Sequence, residues 1–132
     1  MSPSSTPVPR LAEVGQIFVR VKDLPRAVAF YRDRLDLRFL FEVPGMAFFQ
    51  CGALTLLLGL PEKPEFDHPS SILYFRTDSI EETHRVLAGR GVAFPGEPHV
   101  VHRAADRTLW MAFFRDSEDN TLALMEWKKN AA

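Results

Sequence analysis

The sequence predicts an α+β domain made from two copies of one β-α-β-β-β unit. Three observations carry that prediction. The tetrapeptide MAFF occurs at 46–49 and again at 111–114. In both halves an arginine stands three residues before a helix-capping residue, Arg20 before Asp23 and Arg76 before Ser79. The register also persists: Met46 and Met111 are 65 apart, and Leu57 and Ala123 are 66 apart. A chance tetrapeptide would not bring matching neighbours with it.

In the first half, QIFVRV from Gln16 alternates as a strand does, and Asp23 then offers an N-cap. Leu24, Ala27, Val28, Tyr31 and Leu35 follow at helical spacing, with Pro25 tolerated in the first turn. Asp36 stands where the chain leaves the helix, a place for a left-handed residue. Asp accepts that backbone at a cost of about 1 kcal/mol. LRFLFE, MAFFQ and LTLLLG read as three strands, the last two joined at Cys51-Gly52.

The second half repeats the order. ILYFRT is a strand, and Ser79 with Glu82 makes a capping box. Ile80, Thr83, Leu87 and Ala88 form a weaker helical stripe, which Gly91 ends in the left-handed region. VAF with GEPHVVH gives a second strand, TLWMAFFR a third and TLALMEW a fourth. The turn Asp116-Ser117-Glu118-Asp119-Asn120 suits the closing hairpin. The offset between the halves grows from 56 to 65, so about nine residues enter the second half between Phe94 and Thr108. A loop over about 95–107, carrying His99 and His102, is expected there, where function can differ.

The domain organisation follows: a flexible N-terminal tail over 1–13, one domain over 14–127, and a tail over 128–132. Within the domain, the first module covers about 14–60 and the second about 71–127. A chain of 132 residues with 46% hydrophobic and 25% charged residues suits one globular domain with a single core. Its formal net charge of -1 offers no basic field for nucleic acid or an anionic membrane. No apolar run approaches a membrane span or a signal peptide. Cys51 is the one cysteine and cannot form an intrachain disulfide, which points to a reducing cytoplasm.

Read together, QIFVRVKDLPRAVAFYRDRL, ILYFRTDSI with GRGV, and the closing MAFFRDSEDNTLALME resemble the vicinal oxygen chelate superfamily. That superfamily includes glyoxalase I, the bleomycin resistance proteins and the extradiol dioxygenases. The resemblance implies that each module curls its sheet and that the two form a barrel-like mixed sheet around a cavity. Metal-using members place ligands on the first and fourth strands of each unit. The corresponding residues are Gln16, Leu57, Ile72 and Ala123, of which only Gln16 can coordinate. No metal and no cofactor is therefore expected. His99 and His102, three apart in an extended strand, are expected on opposite faces, and His68 and His84 on a linker and a helix surface.

Period-two alternation then assigns the cavity face. If Gln16 faces inward, so do Phe18 and Arg20, and likewise Ile72, Tyr74 and Arg76 in the second module. The resemblance adds Met46, Phe48, Met111 and Phe113 from the MAFF strands, and Thr55, Leu57, Ala123 and Met125 from the fourth strands. Such a wall is either an apolar pocket with polar groups at one end or the filling of a closed core. The two guanidinium groups must reach solvent, pair with carboxylates such as Glu42, or meet an anionic ligand.

The expected function is a metal-free protein, similar to the bleomycin-resistance branch, that binds a small apolar or aromatic molecule, anionic ones included. A homodimer with no nucleic-acid or membrane partner is expected. The alternatives are a metal-dependent enzyme of glyoxalase or dioxygenase type with a non-standard site, a metal-independent enzyme using Tyr74 or Glu126 as acid-base group, and a dimeric scaffold.

Overall fold

The computed structural model describes residues 10–131. The expected tail over 1–13 falls mostly outside that range. Its described part, 10–13, is exposed and forms no helix or strand.

The first module runs β1 (Gln16–Arg20), α1 (Leu24–Ala29), β2 (Arg38–Val43), β3 (Met46–Cys51) and β4 (Leu54–Gly59). The second runs β5 (Leu73–Arg76), α2 (Ile80–Gly89), β6 (His99–Arg103), β7 (Arg107–Arg115) and β8 (Thr121–Lys129). Each makes one four-stranded mixed sheet, ordered β1-β4-β3-β2 and β5-β8-β7-β6. In both, the first strand pairs parallel to the fourth and the other pairs are antiparallel. The repeated unit expected from MAFF is thus a repeated topology, with two curled sheets that do not close.

The helices form where their caps stand. Asp23 accepts from the Arg26 N–H at 3.0 Å, and Ser79 from the Glu82 N–H at 3.4 Å. α1 continues into a π-helical turn over Phe30–Arg34, closed by the Leu35 N–H on the Phe30 carbonyl. The left-handed positions are as expected, with φ of 60° at Asp36 and 88° at Gly91.

One face of each sheet packs on its helix. Val19, Phe49, Leu56 and Leu58 meet Ala27, Val28 and Tyr31, while Ala112, Phe114, Leu122 and Leu124 meet Ile80 and Leu87. All are buried, and they form one cluster that spans both modules.

Three expectations change. VAF is not a strand: Pro95 and Pro98 lack the N–H that a ladder needs, so β6 begins only at His99. The inserted residues do not form a plain loop either. They lengthen the β6–β7 hairpin, so β7 and β8 have 9 residues each against 6 in β3 and β4. Finally, β8 passes the expected end at Trp127, with Lys129 paired to Arg107. Asn130 is also tied down, its N–H on the Asp106 carbonyl and its Oδ1 accepting from Thr108 at 2.6 Å.

The modules are joined by the turn 116–120, which docks on the start of α1. The Glu118 carboxylate, 2% exposed, accepts from the Lys22 and Asp23 N–H groups and from Arg26 through two nitrogens. Asp116 accepts from the Tyr31 hydroxyl at 2.6 Å and from Asn120, whose Nδ2 also donates to the Arg20 carbonyl. Burial alone would raise the Glu118 carboxyl, but the bonds from Arg26, Lys22, Ser117 and Asp23 outweigh it and hold it at about 2. Burial, then the Asp116 charge beside it, pushes the Tyr31 phenol well above its ordinary range.

Candidate functional site

Strand pairing fixes which side chains share the face away from the helices. In the first sheet, Phe18, Leu57, Phe48 and Phe41 lie in one row, and Arg20, Gly59, Met46 and Val43 in the next. Gln16 and Thr55 begin a third row at the exposed edge. In the second sheet, Tyr74, Ala123 and Phe113 form a row, followed by Arg76, Met125, Met111 and His99. Ile72 lies just before β5 and is exposed. These residues do not fill the common core, whose cluster lies on the opposite faces. Phe18 is 36% and Tyr74 43% exposed, whereas Val19 and Phe49 are fully buried.

The two faces contribute to different pockets. Phe18, Met46 and Leu57 line a pocket of about 440 Å³ whose remaining walls are Leu60, Glu62, Phe66 and His68. Those walls come from the segment between the modules, folded over the first sheet with a 3-10 turn at Pro64–Phe66. Sequence reasoning missed this roof. Its signal was Leu60 and Phe66, two large apolar residues in the otherwise polar, proline-rich stretch LPEKPEFDHP. Gly59 lies beside Phe18: a Cβ there would meet the Phe18 ring at 2.7 Å, so the glycine gives that ring its room over β4.

Arg20 anchors the roof. Its Nη1 donates to Asp67 Oδ1 at 2.9 Å, and its N–H to the Ser70 hydroxyl at 3.3 Å. Asp67 therefore takes the place anticipated for Glu42. The ladder slips between Phe39 and Phe41, which sets Glu42 opposite Ala47 on the other face. Arg76, the equivalent of Arg20, is exposed and makes no ion pair among the described residues.

The second-sheet face is open and aromatic. Tyr74 meets Phe113 edge-on at 6.0 Å, His99 lies near-parallel to Phe113, and the Arg107 guanidinium sits 4.0 Å over Trp127. The histidine expectation is corrected here. A bulge between Val100 and His102 pairs His99 with Met111 and His102 with Leu109, so both lie on one face. The extra residue cancels the alternation that would have separated them. His84 is also less free than expected: its ring packs 4.3 Å from Phe94, and its Nε2 has no hydrogen-bond partner among the described residues.

The groups with catalytic potential are mostly committed elsewhere. Glu126 Oε1 accepts from the Ile80 N–H at 2.8 Å and so caps α2. Burial pushes the Cys51 thiol up, which disfavours the nucleophilic thiolate. Among the described residues, no three of His, Cys, Asp and Glu converge as a metal site would require. Leu57 is 8% exposed and Ala123 fully buried, and neither side chain has a donor atom.

Comparison with known proteins agrees with this architecture. No curated protein matches the sequence. Among solved structures, an antibiotic binding protein, TnmS3 from Streptomyces sp. CB03234, is 23% identical with a TM-score of 0.71, over 89% of this chain and 98% of that one. A lactoylglutathione lyase from Agrobacterium tumefaciens is 21% identical with a TM-score of 0.66, over 88% and 94%. A superfamily member from Sphaerobacter thermophilus is 25% identical with a TM-score of 0.72, over 88% and 98%. The family model described as Glyoxalase/Bleomycin resistance protein/Dioxygenase superfamily matches residues 13–124, and the chain belongs to that superfamily.

Proposed function

We propose that the protein binds a small apolar or aromatic molecule, without a metal, in the pocket between the first-sheet face and the inter-module roof. The observation that carries this reading is the roofed pocket itself. Phe18, Met46, Leu57, Leu60 and Phe66 supply aromatic, thioether and aliphatic area, with Glu62 and His68 as polar groups. Gln16, Leu57, Ile72 and Ala123 do not fit a divalent metal, because three of the four have no lone pair to give. No metal-assisted step is assigned to them. An anionic group on the ligand would find Arg20 at the pocket edge, in competition with Asp67.

The working form in this reading is a cytoplasmic homodimer. Its support is the open second-sheet face, where Ile72 and Tyr74 are each 43% exposed and a second copy would cover apolar surface.

A thermal-shift series with small neutral aromatics tests the pocket. A bound compound at 100 times its Kd adds about 2.7 kcal/mol of stability. The stabilisation is expected in the wild type and absent in Leu57→Trp, which fills the pocket. Equal stabilisation of both proteins, or of neither, contradicts the assignment.

A further inference from the structure

The two modules meet their neighbours at equivalent junctions, and only one junction is filled. Around the first, the space between β1, α1 and the partner module's last turn holds the Tyr31 phenol and the carboxylates of Asp116 and Glu118. In the second, the equivalent of Tyr31 is Leu87, the equivalent of Asp116 is Cys51, and the turn at Gly52 carries no acid. A pocket of about 450 Å³ stands there, with Phe75, Leu87, Phe114 and Leu124 among its walls.

Its polar lining differs from the filled junction in a consistent way. Buried Val21 and Ala27 become Thr77 and Thr83, whose hydroxyls lie 2.6 Å apart and line the pocket. Two hydroxyls in mutual contact use one proton between them, and the Thr77 hydroxyl also reaches the Ser79 carbonyl at 3.4 Å, a long bond that a ligand oxygen would compete with. Arg76, on the edge strand β5, also lines this pocket and has no ion-pair partner among the described residues; its side chain starts from the open face and would reach a ligand in the pocket around that edge. The backbone N–H groups equivalent to those of Lys22 and Asp23 belong to Asp78 and Ser79. The Ser79 N–H turns to Thr77 Oγ1 at 3.3 Å rather than to an acid. The Tyr31 ring and the acids of the turn 116–120 therefore have no equivalents lining this pocket, and the start of α2 is capped instead by Glu126 on the Ile80 N–H.

We propose that this inter-module pocket is a second small-molecule site, taking an arylcarboxylate. The ring occupies the place the Tyr31 phenol holds in the first junction, against Leu87 and Phe114. The carboxylate meets Arg76 and the Thr77–Thr83 hydroxyls, as Glu118 meets Arg26 and the α1 cap. This site shares no lining residue with the roofed pocket, so each can fail without the other.

Cys51 lines the proposed site and supplies the readout. The rate of its alkylation by chloroacetamide, an uncharged reagent, is measured against rising 3-phenylpropanoate. Saturable protection is expected, with affinity about tenfold weaker in Arg76→Ala, the loss of one charge-assisted contact. Protection should vanish in Thr83→Phe, which fills the pocket, and persist in Leu57→Trp, which fills the other one. The neutral 3-phenyl-1-propanol should protect less than the acid. No protection in the wild type, protection indifferent to Arg76→Ala, or protection lost in Leu57→Trp overturns the proposal. Arg76 is exposed, so its variant tests the site even if Thr83→Phe does not fold.

Discussion

The two modules share a chain path and differ in what stands on it. At the first junction a turn from the second module inserts three buried polar residues, Asp116, Glu118 and Asn120, against Tyr31 and the start of α1. At the second junction the corresponding turn is Cys51-Gly52-Ala53, and a pocket remains. The open faces differ in the same sense. The first sheet has a roof latched by Arg20 and Asp67, while the second, where Arg76 has no ion-pair partner among the described residues, is open. Duplication preserved what the core needs, which is strand order and the apolar alternation beneath each helix. Where the modules differ, in the turns, the roof and the polar residues beside the core, the two pockets stand.

Breaking the filled junction should have the largest effect. Glu118→Ala removes the acceptor for two backbone N–H groups and for Arg26, and is expected to cost about 3 kcal/mol in urea unfolding. At the start of the other helix, Glu126→Ala, which frees the Ile80 N–H, should cost about 1 kcal/mol. Equal losses would mean that the junctions are energetically alike.

The same contrast has a pH signature. Glu118 titrates at about 2 in the folded chain against 4.5 ordinarily, so its contribution is complete above about 4.5 and is lost as pH falls towards 2. A shift of that size corresponds to about 3 kcal/mol. Glu118→Gln should flatten this part of the stability profile; an unchanged acid limb would place the titration elsewhere.

Tyr31→Phe leaves Asp116 Oδ2 with Asn120 as its remaining side-chain donor, and a loss of about 2 kcal/mol is expected by the same urea measurement. Arg20→Ala should move stability least, within about 1 kcal/mol, because Asp67 is more than half exposed. It should nonetheless open the roof, read as faster proteolysis between residues 60 and 70. Unchanged proteolysis would show that the roof stands without its latch.

Much of this fold was legible in the sequence. Alternation in QIFVRV and ILYFRT, the caps at Asp23 and Ser79, and the repeated MAFF each depend on local chemistry, and the structure follows them. The open face was legible too, since period two separates Phe18 from Val19 whatever the neighbours are. The bulges in β2 and β6 were not, because one extra residue there answers to the partner strand rather than to local preference. They moved Glu42 to the wrong face for Arg20 and brought His99 and His102 to one face. The turn 116–120 read as a good hairpin sequence, and nothing local shows that its acids reach 90 or more residues back to Lys22 and Arg26. The roof was hidden for a similar reason: proline-rich composition marks a segment as non-regular without saying what it covers.

Native mass spectrometry of the protein as purified from cells tests the central claim most directly. An organic adduct of small mass, lost in Leu57→Trp, and no equivalent of nickel, zinc, iron or manganese is the predicted spectrum. One tightly held equivalent of any of these metals, retained in Leu57→Trp, would contradict it.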